Sequence, residues 1–316
     1  MNSPYGHALG FIMRRSRGAL IGFMLLSFLL VACGDGKQAG DPSDQPSSPA
    51  SSPTAVPEMS VPFVLDLRTG AATPLAEGVP TDGRAYAVSP DRTMVATNPC
   101  CHPPVPVWLA NMDGSDVRVI TPEGADGFSP RWSPDGSKLV FQERDAATEE
   151  LGKLVVYDLT TGKRTPVTDL KARSSDQGWF VSPSFAADGR SILFGLPTGP
   201  RSAPEPWDLW SVPVEGGQPM LVLRGASGGA YSPDGRSLAY ADSSGRLIVA
   251  DADGANPRVL SESVGFPRWS PDGTRIVQLA DDGVYVIDVG TGETSLVARG
   301  DWPEWFDDNT LIIAPQ

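Results

Sequence analysis

Cys100, Cys101 and His102 stand side by side in "NPCCHPP" (Asn98–Pro104), and His102 is the only histidine after residue 33. A single histidine excludes a His-rich metal centre and leaves little from which to build a Ser-His-Asp triad. In an oxidising compartment the two adjacent thiols admit three readings. They could close a vicinal disulfide whose small ring is a rigid apolar platform, stay free or bridge to another chain, or join His102 on a metal. The metal reading lacks a fourth ligand, and three consecutive residues supply tetrahedral geometry poorly. "GASGG" (Gly225–Gly229) matches a nucleophile elbow around Ser227, but no strand–turn–helix context surrounds it, so it reads as a loop. "DADGAN" (Asp251–Asn256) has calcium-loop acids without Gly at the sixth position. Asp251 also aligns with Asp66, Asp158 and Asp288, so it reads as a repeat position rather than a ligand.

Residues with so little catalytic signal must be positioned by something, and composition narrows what. The 316 residues include 34 Gly and 31 Pro, a balance that favours short strands and turns over helices. Lys and Arg total 25 against 38 Asp and Glu, for a net charge of −13. That excess of acid argues against nucleic acid as a partner, because phosphate binding needs a basic face. No cofactor motif is present.

The N-terminus reads as a processing segment. "RRSRG" (Arg14–Gly18) precedes the apolar run "ALIGFMLLSFLLVA" (Ala19–Ala32), which is too short for a spanning helix of about 20 residues and suits a signal-peptide core. It ends in "LVAC" (Leu30–Cys33), which resembles the lipobox of bacterial lipoproteins. The resemblance implies cleavage before Cys33, diacylglyceryl transfer to it, and anchorage to a bacterial membrane on the extracytoplasmic side. Residues 1–32 are thus expected to be the signal peptide. Residues 33–60 are the lipidated Cys and a Ser/Pro/Gly tether with almost nothing to bury. As a flexible coil, that tether would span roughly 30 Å.

Residues 61–316 repeat. "PRWSPDG" occurs at Pro130–Gly136 and at Pro267–Gly273, and weaker copies place equivalent acids at Asp91, Asp135, Asp188, Asp234, Asp272 and Asp308. Their spacings of 44, 53, 46, 38 and 36 lie in the range of propeller blades. Each copy predicts an apolar strand, a variable stretch, a third strand such as "LVVYDLTTG", and a fourth such as "MLVL". Ser-Pro-Asp-Gly suits the first turn: Pro presets φ, Asp bonds local backbone, and Gly tolerates φ > 0. The aromatic before it (Trp132, Phe185, Tyr231, Trp269, Trp305) is expected to pack between sheets. The last copy stops after two strands, whereas "PFVLDLRTGAATPLAE" (Pro62–Glu77) has a third-and-fourth-strand pattern without the first two. The expected fold is therefore all-β: a six-bladed propeller of four-stranded antiparallel blades, closed by N-terminal strands completing the C-terminal blade.

These WSPDG-type units resemble the WD-repeat-like propeller of the TolB family, over residues 61–316. The resemblance implies a propeller in the cell envelope. TolB carries an additional small N-terminal domain, whose place is taken here by anchor and tether.

The long connections crowd one side of one face. "TNPCCHPPVP", "ERDAATEELG" and "LPTGPRSAPEPW" join second to third strands in blades one to three, and "DLKARSSDQGWFVSP" links blades two and three. Blades four and five have only "DSSG" and "DDG" there. Long loops on a rigid scaffold are where function concentrates. They carry Arg144, Trp179, Arg201, Glu205 and Trp207, and Trp with Arg is a hot-spot mixture. At the channel, the position before each blade's aromatic is Arg131, Ser184, Ala230, Arg268 or Glu304. The two arginines would meet an anion or pair structurally with Glu304. A carboxylate-pair glycosidase would need a second acid beside Glu304, and none is evident. The expectation is a non-catalytic lipoprotein binding an envelope protein or peptidoglycan-associated partner. The alternatives are an envelope glycan hydrolase or lyase, or a small-ligand sensor, using the channel.

Overall fold

The computed structural model describes residues 60–80, 83–99, 105–145, 152–170, 181–198, 207–262, 266–280 and 283–315. Two strands come first, β1 (Phe63–Asp66) and β2 (Ala72–Pro74). Blade one is β3 (Gly83–Val88), β4 (Met94–Pro99), β5 (Trp108–Asn111) and β6 (Arg118–Val119). Blade two is β7 (Ala125–Trp132), β8 (Lys138–Asp145), β9 (Lys153–Asp158) and β10 (Arg164–Asp169). Blade three is β11 (Ser184–Phe185), β12 (Ser191–Pro197), β13 (Trp207–Pro213) and β14 (Met220–Arg224). Blade four is β15 (Ala226–Tyr231), β16 (Ser237–Asp242), β17 (Leu247–Asp251) and β18 (Arg258–Ser261). Blade five is β19 (Arg268–Trp269), β20 (Arg275–Ala280), β21 (Gly283–Asp288) and β22 (Thr294–Ala298), and blade six begins with β23 (Asp301–Asp307) and β24 (Thr310–Ala314).

Blade six is completed from the other end of the chain, in the order β2-β1-β24-β23. Phe63 pairs with Ile313 and Leu65 with Leu311, antiparallel. The propeller therefore closes as the sequence predicts, and β24, otherwise a long sheet edge, is paired by β1.

Middle strands are apolar on both faces because a blade is covered by a neighbour on each side. The buried residues form clusters that each bridge two consecutive blades. Leu139 and Phe141 of blade two, for example, pack with Ala96 and Leu109 of blade one. Phe63 and Leu65 pack with Val277, Val284 and Val286 of blade five. The remaining seams are built in the same way. The core is thus a ring of interfaces rather than one central mass.

Each Ser-Pro-Asp turn satisfies its own polar groups. The Ser133 hydroxyl donates to Asp135 Oδ1 at 2.6 Å and accepts from the Lys138 N–H at 2.9 Å. Ser89, Ser232 and Ser270 repeat both contacts. Gly136 sits at φ 71°, where a Cβ is disfavoured. Blade one has Arg92 at this place, and it adopts φ 63° all the same. The predicted aromatics pack into the seams, and three add a bond the repeat pattern does not announce. Trp132 Nε1 donates to the Ala87 carbonyl at 2.8 Å, Trp269 Nε1 to Ala230 at 3.0 Å, and Trp305 Nε1 to Arg268 at 2.9 Å. Each indole ties its blade to the inner strand of the preceding one.

The turns make stability acid-sensitive. Chiefly through the Ser133 hydroxyl, then the Ser137 N–H, the Asp135 carboxyl is held at about 2 against an ordinary 3.8. Asp91 and Asp234 are lowered in the same way, first by Ser89 and Ser232. A carboxyl depressed in the folded state contributes stability above its unfolded value and loses it as pH falls through the folded one. The urea midpoint is therefore expected to drop between pH 3.8 and about 2. Ser133→Ala should make that drop shallower, and an unchanged profile would show that the turn does not couple to protons.

Candidate functional site

In an antiparallel blade, the loops between second and third strands and the blade-to-blade links emerge on one face. The Ser-Pro-Asp turns emerge on the other. A cavity of about 820 Å³ opens on the first face at blade two. It lies where β8 and β10 end and β7 and β9 begin, and its lining includes Glu123, Glu143, Arg144, Asp145, Lys153 and Asp169.

The charges beneath it are fixed. Asp126 is fully buried and accepts from the Val105 N–H at 2.7 Å. Its other oxygen accepts from Arg144 Nε at 3.2 Å and Nη2 at 3.1 Å. The Arg144 guanidinium also lies 4.6 Å from the Phe128 ring centroid, a cation–π contact. Buried Glu143 pairs with Lys153 Nζ at 3.1 Å and with Arg164 Nη2. Arg144 thus lines the cavity from within an ion pair, with its charge already matched.

Trp207 opens β13 on the same face and lies over Gly195, where an added Cβ would stand 3.3 Å from the indole. Trp179, Arg201, Glu205, Cys33, Cys100 and Cys101 lie outside the described residues. Ser227, expected in a loop, belongs to β15 and pairs with Ala241. The inner strand of blade four starts earlier than its glycines suggest, because Gly228 at φ 60° forms a bulge inside it. Asp251 ends β17, and its Oδ2 accepts from Asn256 Nδ2 at 2.6 Å, so it serves a hairpin turn.

At the channel the structure brings together the three predicted side chains. Glu304 Oε2 lies 3.7 Å from Arg131 Nη1 and 3.7 Å from Arg268 Nε. Blades two, five and six supply the three. Arg131 Nη1 also donates to the Pro130 carbonyl at 2.7 Å, Arg268 Nη1 to Pro267 at 3.0 Å, and Arg268 Nη2 to Ser182 Oγ at 3.2 Å. Burial pushes the Glu304 carboxyl up, against the opposing pull of Arg131. It likewise pulls the Arg131 guanidinium down.

Sequence reasoning missed the mouth above this cluster. Two positions before Arg131, Ser184, Ala230, Arg268 and Glu304 stand Ser129, Ser182, Gly228, Phe266 and Trp302. Ser129, Gly228 and Trp302 have φ of 53°, 60° and 48°, so a left-handed bulge recurs at one repeat position. Phe266 and Trp302 stack there, with centroids 6.2 Å apart and planes 13° from parallel. Alignment of the repeats on their turns, read two residues upstream, would have found this pair.

No protein-family model matches the chain. A Tol-Pal system protein TolB from Anaeromyxobacter dehalogenans is 31% identical over 173 residues, which is 52% of this chain and 37% of that protein. The chain therefore spans little more than a third of the length of the curated relative it matches. Among solved structures, a protein assigned as TolB in Agrobacterium tumefaciens aligns over 80% of this chain and 96% of its own, with TM-score 0.59 and 17% identity. An oligogalacturonate lyase in complex with manganese aligns over 76% of this chain and 73% of its own, with TM-score 0.52 and 18% identity. At such identities the two structures speak to the fold alone. Together with the closed ring of four-stranded blades, they make the blades from Phe63 to Ala314 a TolB-like six-bladed propeller.

Proposed function

We propose that this protein is an extracytoplasmic lipoprotein, anchored to a bacterial membrane through Cys33. Its propeller binds an envelope protein or a peptidoglycan-associated partner through the loop-rich face, without chemistry of its own. The observation that carries this reading is the blade-two cavity, which opens on that face where β8 and β10 end and β7 and β9 begin. Its floor is a set of ion-paired side chains, a rigid surface of the kind binding residues are mounted on. The relative named as a Tol-Pal system protein supports an envelope setting. A glycan hydrolase or lyase in the channel is the second reading. Glu304 is the acid there, and two arginines clamp it where a glycosidase would place a second carboxylate.

In-cell photo-crosslinking from position 207 tests the proposal, with position 272 on the opposite face as control. One dominant envelope protein is expected from 207 and not from 272, and shortening residues 146–151 should weaken its capture by tenfold or more on a scale where about 1.4 kcal/mol is one decade. Equal capture from both faces, or capture indifferent to loop trimming, would sink the platform reading.

A further inference from the structure

Among the described residues, the channel cluster has one more positive charge than negative. Arg131, Arg268 and Glu304 have side chains exposed by only 13%, 12% and 17%, and they bring two guanidiniums against one carboxylate. Both ion-pair distances are 3.7 Å, whereas a charge-assisted hydrogen bond closes to about 2.7–2.9 Å. Glu304 Oε2 and Arg131 Nε are buried without a hydrogen-bond partner. The remaining bonds of the two arginines go to neutral acceptors, the Pro130 and Pro267 carbonyls and Ser182 Oγ. A nearly buried net charge with an orphaned donor is costly unless something compensates it. A single anionic group that accepts hydrogen bonds would balance what the described residues show.

The mouth says what that group is carried on. Phe266 and Trp302 stand two residues upstream of Arg268 and Glu304, stacked on each other, and Trp302 is backed by the seam between blades six and one. The Arg268 guanidinium bonds Ser182, which holds the repeat position equivalent to Phe266 and Trp302 in blade three. Phe266 is 40% exposed, an unusual state for a large aromatic. Its place is built: Gly228 at φ 60° leaves room, since a Cβ there would stand 3.0 Å from the Phe266 ring. Trp302 holds φ 48°, a conformation bulky residues rarely adopt and one that concentrates at ligand clamps. The exposed ring of Phe266, two residues from Arg268 and backed by Trp302, suits a ring with an apolar C–H face and an attached carboxylate. The acidic surface, −13 for the whole chain, disfavours a polyanion and leaves one charge per ligand.

We propose that Arg131, Arg268 and Glu304 form a site for the single carboxylate of an acidic sugar, whose ring lies against the Phe266–Trp302 pair at the channel mouth. The mouth opens on the loop-rich face, but none of these five residues lines the blade-two cavity, so loss of glucuronate binding and loss of partner capture are read separately.

Titration calorimetry of the mature chain tests this with D-glucuronate as the probe. D-glucose serves as its uncharged counterpart, acetate as a carboxylate without a ring, and a short acidic peptide as the other carrier of carboxylate. Glucuronate should bind, and glucose and acetate should each be at least about tenfold weaker, the scale of one charge-assisted bond or one stacked ring. Arg268→Gln should weaken glucuronate by about tenfold or more. Phe266→Ala, which leaves the charged cluster whole, should weaken glucuronate while leaving acetate unchanged. Unaltered melting of both variants would establish that they fold. No glucuronate heat at millimolar concentration, or glucose binding equally well, would overturn the site. Acetate matching glucuronate would overturn the platform, and an acidic peptide binding more tightly with the same dependence on Arg268 would overturn the sugar.

Discussion

Deletion of Val61–Thr73 is expected to give a chain that no longer unfolds cooperatively. The segment contains β1, the third strand of blade six, which is hydrogen-bonded to β24 on one side and β2 on the other. Phe63 and Leu65 are 0% and 1% exposed, and they fill the seam with blade five. Phe63→Ala alone should cost about 3–5 kcal/mol, from lost transfer energy and the cavity left behind. That is a large share of the roughly 5–15 kcal/mol that holds a domain folded. Removing the strand also strips β24 of its partner and opens a ring whose stability depends on closure. Urea titration followed by circular dichroism decides the matter. A deleted chain that melts cooperatively at the parent temperature would show that blade six is dispensable and the closure scheme wrong.

Asp126→Ala should be the most damaging single change on the loop-rich face, at about 3–5 kcal/mol. It removes the only counter-charge among the described residues for the Arg144 guanidinium, which is 9% exposed, and the acceptor for the Val105 N–H. The cost comes from what is left behind, a nearly buried cation and a backbone donor without their acceptor. Arg144→Met in the same chain should therefore recover part of the loss, because it removes the stranded charge and keeps the apolar contact with Phe128. A double-mutant cycle in urea measures the coupling, and strictly additive losses would mean that the pair is not a unit. If the cavity above it is the partner surface, Asp126→Ala should also weaken capture from position 207.

The sequence by itself determined the architecture, because its signals are local and recur. A Ser-Pro-Asp-Gly turn closes through bonds within five residues, from Ser133 to Asp135 and Lys138, so each copy announces itself wherever it falls. Alternation of apolar residues sets the strands, and the orphan half-blades at Pro62–Glu77 and Glu304–Gln316 predict closure, since each supplies what the other lacks. Even the channel position of Arg131, Arg268 and Glu304 follows from alignment of the repeats.

Only the tertiary structure decided what those residues do to one another. Arg131 and Arg268 are 137 residues apart, and they share a carboxylate because ring closure carries equivalent positions of different blades to one axis. Repeat equivalence says that side chains face the channel but not whether they meet. The left-handed bulge at Ser129, Gly228 and Trp302 was illegible for a related reason. Ser and Trp have no preference for φ > 0, so the conformation is imposed by packing around the ring rather than by the residues themselves. The ion pair of Asp126 with Arg144 spans 18 residues of strand and turn, and charge alone could not distinguish a buried partner from a solvated loop acid. Turn chemistry is contained in a few neighbouring residues, whereas a site at the axis exists only once all six blades have closed around it.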